Sequence, residues 1–182
     1  MLQESDDILR LTAIGHEGKT ALTVRFGVAP SPIGPILVGR TDTGVCAVLL
    51  GGDADVLAGE FPRAALVADD AAATAAATRL AGYVAGTDAL PDLQLDLRGT
   101  PFQRAVWAAL LRVPAGTTAS YADIARDIGA PAAYRAVANA CGANHVAILV
   151  PCHRIVRTGG GMGGYRGGIQ RKEWLLALEK GV

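Results

Sequence analysis

The chain has 182 residues, 51% of them hydrophobic, with 17 Lys/Arg balanced by 17 Asp/Glu. That length allows one or two domains, and that apolar content supplies a sizeable core, which excludes a disordered chain. No apolar run approaches membrane-spanning length, the first residues do not read as a signal peptide, and three scattered cysteines point to a reducing, cytoplasmic setting rather than a disulfide framework. With no CxxC and no Cys/His cluster, no metal site is expected. The charge is unevenly spread: residues 1–97 hold 6 Lys/Arg against 13 Asp/Glu, a net of −7, and residues 98–182 hold 11 against 4, a net of +7. An acidic half followed by a basic half predicts that a polyanion meets the second half only.

The first twenty residues are polar and read as loose. Leu22-Thr23-Val24-Arg25-Phe26 alternates with period two, as a half-buried strand does. Ser31-Pro32-Ile33-Gly34-Pro35 is a turn. Residues 36–40 and 44–50 read as two more strands joined at Asp42-Thr43-Gly44, with Cys46 as a small buried hydrophobe. A short helix is expected over residues 53–61. An alanine-rich helix capped by Asp70 follows, reaching about Ala85. This predicts a small α/β domain over residues 1–87, a linker over 88–98 holding a short extended segment at 93–97, and a second domain over 99–182.

The second domain opens with Thr100 as N-cap, Pro101 in the first turn and Gln103 three residues after the cap, a capping box. Phe102, Val106, Ala109 and Leu110 form its apolar stripe, and Val113-Pro114 ends it. Ser120 and Asp123 cap a second helix, which Gly129 stops. Pro131 starts a third, over about 132–142. Two short helices around a Gly-containing turn are a helix-turn-helix. The expected core face of the third helix is Ala133, Ala136, Val137, Ala140 and Cys141. Its outer face is Tyr134, Arg135, Ala138, Asn139 and Gly142, with Arg135 and Tyr134 the long side chains. A face of alanine and glycine suits a close, shallow approach to a groove better than the reading of base edges.

The run Val146-Ala147-Ile148-Leu149-Val150 reads as a buried strand or its end, stopped by Pro151. Cys152 follows at once, with His153 and Arg154 beside it, a place where a thiolate is favoured by a base and a cation. Residues 159–168 are a glycine-rich loop. A phosphate cradle is a weak reading of it, because no Gly-Lys-Ser/Thr sequel and no preceding strand are present. The last helix spans 169–180, with Trp174, Leu175 and Leu178 as expected core and Gly181 as its stop.

Pro151-Cys152-His153-Arg154-Ile155-Val156 resembles the active-site signature of the O6-alkylguanine-DNA alkyltransferases, also called methylated-DNA–protein-cysteine methyltransferases. The likeness runs from Gly99 to about Gly181, through Gly99-Thr100-Pro101-Phe102-Gln103, Val113-Pro114-Ala115-Gly116-Thr117 and Lys172-Glu173-Trp174-Leu175-Leu176, and more weakly through the first half. It is greatest to the C-terminal domain of the adaptive-response members.

The resemblance implies an α/β (α+β) chain: a ribonuclease-H-like sheet-and-helix domain, then a mostly helical, winged-helix-like domain with the helix-turn-helix. It implies a protein that moves the alkyl group of O6-alkylguanine, with O4-methylthymine as a further substrate to test, onto Cys152. It implies that the protein would be consumed in one turnover and would need no cofactor. Glu179 would orient His153, which would reach Cys152 through a water. Tyr121 would protonate guanine N3 and crowd the 3′ phosphate, and Asn144 would brace the active-site turn. Cys141, Ile155, Tyr165 and Arg166 would wall the base pocket.

For DNA contact, the resemblance implies that the second helix of the helix-turn-helix lies in the minor groove. Arg135 would take the place of the flipped base, and Tyr134, Ala138, Gly142 and Tyr121 would touch the duplex. The implied partner is double-stranded DNA carrying the lesion, bound by a nucleoid-associated monomer with no membrane contact. Two positions depart from the family pattern: Tyr134 replaces a small residue, and Gly167 replaces an aromatic after Arg166. Two rivals remain. A non-catalytic lesion binder of the alkyltransferase-like kind would lack Cys152, and a helix-turn-helix regulator would not need Pro-Cys-His-Arg.

Overall fold

The structure, a computed structural model, describes residues 22–181. The polar start expected over residues 1–20 lies outside the described residues. The chain divides into two units, Met1–Arg98 and Gly99–Val182. No helix among the described residues is long and apolar enough to cross a membrane.

In the first unit, β1 (Thr23–Ala29), β2 (Ile36–Arg40) and β3 (Val45–Leu50) form an antiparallel meander. The connection through α1 (Ala54–Glu60) then brings β4 (Ala65–Val67) back parallel to β1, giving the order β3-β2-β1-β4. β4 is three residues at an edge and carries too little pattern to stand out in the sequence. Asp53 caps α1 by accepting from the amides of Asp55 and Val56. Asp70 caps α2 (Ala71–Ala85) by accepting from Ala73.

α2 packs on β1 and β2. The two backbones come so close at Gly27 that a Cβ there would lie 2.2 Å from the Thr74 hydroxyl, so only glycine fits. Val24, Leu37, Ala47 and Leu57 fill the core of this unit. The segment expected as a linker is tied down at its end. Val45 donates to the Gln94 carbonyl, Asp96 donates back to Val45, and the buried Asp96 carboxylate accepts from Thr41 and Arg98. Residues 94–98 are therefore part of the first unit's hydrogen-bonded structure.

The second unit is built on α3 (Pro101–Leu111), α4 (Tyr121–Asp127), α5 (Tyr134–Gly142) and α6 (Ile169–Lys180). Thr100 and Gln103 close the expected capping box on α3, and Ser120 and Asp123 close another on α4. Trp107, absent from the expected stripe, is fully buried on α3, and its Nε1–H donates to the Ala140 carbonyl, fastening α3 to α5. Burying such a side chain contributes about 1.5 to 3 kcal/mol.

A 3₁₀ turn at Pro131–Ala133 leads into α5, so the regular helix starts later than the expected 132. Val137, Ala140 and Cys141 face the core as expected. Ala136 is exposed and Ala133 half-buried, because the turn tips the start of α5 outward. α6 also differs from expectation. It turns Lys172, Leu175, Leu176 and Glu179 inward, at spacings of three, four and seven. Trp174 therefore faces out and is 46% exposed, and Leu178 is only half-buried.

Candidate active site

Residues 146–150 do not form the expected strand. They make a turn-rich segment in which Val150 donates to the Val146 carbonyl and Leu149 to Ala147. Ile148 takes φ +70°, a conformation that β-branched residues rarely adopt, with its side chain buried. Asn144 organises the turn. Its Oδ1 accepts from the Val146 amide at 2.9 Å, and its Nδ2 donates to the Val150 carbonyl at 2.9 Å and to Cys152 Sγ at 3.1 Å. Cys152 then opens a 3₁₀ turn with His153 and Arg154.

Immediately after that turn, β6 (Ile155–Val156) pairs in parallel with β5 (Ala119–Ser120). This two-residue ladder carries Tyr121, the next residue after β5, to the nucleophile's side of the unit. Neither strand is long enough to read from sequence. Gly163, at φ +67°, lies against Tyr121; a Cβ there would come 2.9 Å from the phenol oxygen. The glycine-rich loop thus closes on Tyr121.

A cavity of about 250 Å³ opens on Cys152, lined also by Tyr121, Ala138, Asn139, Cys141, Gly142, Gly164, Tyr165 and Arg166. It brings together Cys152, Tyr121, Cys141, Tyr165, Arg166, Ala138 and Gly142 from the expected site. Ile155 does not line it: this residue is fully buried in β6, where its carbonyl accepts from Lys172. Tyr134 and Arg135 line a neighbouring recess. Arg166 also lies 3.3 Å from His145 Nδ1.

Behind the cysteine is a buried charged cluster. Glu179 Oε1 meets His153 Nε2 at 2.8 Å, and the same carboxylate accepts from Arg154 Nε at 2.9 Å and Nη2 at 2.8 Å. Arg154 Nη1 donates to the Val113 carbonyl, and the Gly116 amide to Glu179 Oε2 at 3.4 Å. Burial alone would raise the Glu179 carboxyl, but the hydrogen bonds from His153 and Arg154 prevail and hold it at about 2. It is therefore ionised and can only accept, so His153 Nε2 carries the proton. Burial keeps the imidazole neutral by pushing its pKa down. Its Nδ1 is then a bare lone pair, buried and without a hydrogen-bond partner among the described residues, as is the Tyr165 hydroxyl.

The thiol itself does not rest as a thiolate. Cys152 is only 8% exposed, and burial raises it above its ordinary value, opposed by the Asn144 bond and the Lys172 charge. The position beside His153 and Arg154 was expected to favour the thiolate; Arg154 instead spends its charge on Glu179, and burial prevails at the sulfur. Cys46 and Cys141 are pushed up to about 12, by burial first.

The roles of two residues here went unread in the sequence. Arg154 was read only as a cation beside the thiol, not as the partner of Glu179. Lys172 is fully buried and donates to the carbonyls of Ile155 and Met162. Its signal was a charge recurring with Glu179, seven residues on, along the stripe of Leu175 and Leu176.

Residues 101–181 match the family model of the 6-O-methylguanine DNA methyltransferase DNA binding domain, and residues 24–97 that of its ribonuclease-like domain. The chain is 42% identical over 183 residues to the bifunctional transcriptional activator/DNA repair enzyme Ada of Escherichia coli, a match covering 97% of this chain and 51% of Ada. It thus spans about half the length of that relative. A methylated-DNA–protein-cysteine methyltransferase of Mycobacterium tuberculosis is 53% identical over 112 residues, covering 62% of this chain and 68% of the relative. Among solved structures, Mycobacterium tuberculosis OGT in complex with DNA superposes with a TM-score of 0.75 at 42% identity, covering 87% of this chain and 94% of that one. With both of its units matched in order, this chain belongs to the 6-O-methylguanine DNA methyltransferase family.

Proposed function

We propose that this chain repairs DNA by direct reversal, moving the O6-alkyl group of guanine onto its own Cys152 in a single, irreversible turnover. The observation that carries the reading is the cavity whose wall holds the Cys152 sulfur, with a neutral imidazole lone pair held behind it by an ionised Glu179. A buried thiol that rests protonated needs a base at the moment of attack, and His153 Nδ1 is such a base, acting through a bridging water. The thiolate attacks the alkyl carbon, the S–C bond forms as the C–O6 bond breaks, and the electron pair stays on guanine. Tyr121, whose phenol burial keeps protonated, gives its proton to guanine N3, and the proton on His153 returns to Tyr121 through solvent. Asn144 aims the sulfur, and Tyr165, Arg166 and Cys141 bound the space the base enters.

The base must leave the duplex to reach the sulfur, at a cost of a few kcal/mol. The helix-turn-helix of α4 and α5 supplies the contact, with α5 in the minor groove and Arg135 occupying the place the base vacates. The DNA named with the Mycobacterium tuberculosis relative supports a DNA partner, and a monomer is sufficient for every step above.

Intact-mass spectrometry after mixing with duplex DNA containing O6-methylguanine tests the proposal. One methyl should appear per chain, on the peptide carrying Cys152, and remain there. Modification at Cys46 or Cys141, or repeated turnover, overturns it. Cys152→Ala should still bind the lesion without reacting.

A further inference from the structure

Beside the Cys152 cavity lies a second, more open recess of about 570 Å³ that Cys152 does not line. The two share Tyr121 and Ala138. Beyond that wall the recess is lined by Tyr134, Arg135, Arg157 and Thr158, so two tyrosine rings and two guanidinium groups face it and no carboxylate does.

These groups are not consumed by the fold. Tyr134 is 46% exposed, and Arg135 makes no ion pair or hydrogen bond among the described residues. Its guanidinium carbon lies 5.7 Å from the centroid of the Tyr134 ring, a weak attraction on an exposed surface. Arg157 projects from a turn in which its amide donates to Gly161 and its carbonyl accepts from Gly160. The backbone is fixed there while the side chain remains exposed.

The lining selects its ligand. The unpaired guanidinium of Arg157 calls for an anion, and the exposed face of Tyr134 calls for a flat π-system. A free phosphate would leave the rings unused, and an acidic peptide would offer them no planar partner. A nucleotide satisfies both. We infer that the recess is a second nucleotide subsite, in which an undamaged nucleotide of the same DNA stacks its base on Tyr134 and sets its phosphate against Arg157. This rests on reading the chain as a DNA alkyltransferase. The nucleotide comes from one of two places, beside the lesion in its own strand or opposite it.

The experiment places 2-aminopurine 5′ of the lesion, 3′ of it, or opposite it, and follows emission on binding to Cys152→Ala. One position should respond. The response should vanish when Tyr134→Ala is added and survive when Tyr134→Phe is added instead, and the responding position identifies the source. In the reactive protein, the loss of methyl-transfer rate on duplex DNA caused by Tyr134→Ala should exceed its loss on free O6-benzylguanine by about tenfold. Arg157→Ala should show the same selectivity. Equal losses on duplex and free base, or no probe position sensitive to Tyr134→Ala, overturn the subsite. If the unmodified protein methylates Cys152 from the duplex while both variants keep its rate, the subsite alone fails. If no methyl reaches Cys152, the subsite falls together with the repair function.

Discussion

Glu179 is a carboxylate buried among its partners, and its protonation sets those partners' states. Its ordinary value of 4.5 is brought down to about 2, against the effect of burial, by the hydrogen bonds from His153 and Arg154. A carboxyl depressed by folding stabilises the native state above the unfolded value. That contribution is lost as pH falls from about 4.5 toward about 2. Glu179→Gln should therefore flatten the acid limb of the stability curve in that window. At neutral pH it should cost about 3 kcal/mol, because the Arg154 charge stays buried without its counter-ion. Urea unfolding across a pH series reads both effects, and an unchanged acid limb would show that the pair is not what holds Glu179 ionised. The same substitution frees His153 to adopt the other tautomer. His153→Ala and Glu179→Gln should thus each slow methyl transfer, and the double variant should be little slower than His153→Ala alone, since the two act as one unit. Additive losses would separate Glu179 from the relay.

The elements that read correctly from sequence are those whose signals are local. Thr100 with Gln103, Ser120 with Asp123, and Asp70 each satisfy helix amides three residues away, so residue type and spacing declare the helix start. The elements that misread are set by distant partners. Residues 146–150 are as apolar as a core strand, and periodicity cannot separate a buried strand from a buried turn. Asn144 decides it by bonding to both ends of the run. Trp174 looked like core by hydropathy, whereas the inward stripe of α6 includes Lys172 and Glu179, charges that burial tolerates only because Ile155, Met162, His153 and Arg154 receive them. Tyr121 reached the site through a two-residue ladder with no sequence signature of its own.

The turn yields its own prediction. Asn144→Ala leaves the Val146 amide buried without that partner, at about 1 to 3 kcal/mol, while the Val150 carbonyl keeps only the Cys152 amide. It also releases an Ile148 held at φ +70°. Thermal stability should fall, and Cys152 should react with iodoacetamide at a higher pH, having lost the bond that opposes the rise of its thiol. Asn144→Asp keeps the Val146 bond but puts a negative charge beside the sulfur, so it should shift that pH further than alanine does. If alanine shifts it more, the Asn144 bond is not an electrostatic influence on the thiol.

At the scale of the whole chain, not every charge behind the second half's net of +7 is available to a partner. Three of the four acidic residues in 98–182 are already paired inside the unit: Glu179 with Arg154, Asp127 with Arg112 and Asp123 with Arg126. Buried Lys172 and Arg154 are equally unavailable to a phosphate. What remains for DNA is the exposed set, and within it Arg135 and Arg157 carry no ion pair among the described residues. Their roles should differ. A side chain that neutralises a phosphate releases a counterion, so its loss reduces the slope of log affinity against log salt by about 0.9. A side chain that fills the gap left by an extruded base neutralises nothing, and its loss lowers the population of the flipped state. Arg157→Ala should therefore reduce the salt slope of duplex binding. Arg135→Ala should keep that slope while losing methyl-transfer rate on duplex DNA far more than on free O6-benzylguanine. Measuring slope and both rates for the two variants separates the cases. A reduced slope for Arg135→Ala would make it a phosphate contact. Equal rate losses on both substrates would place it in the chemistry or the fold, and an unchanged duplex rate would remove it from the site, leaving extrusion of the base to other residues of α5.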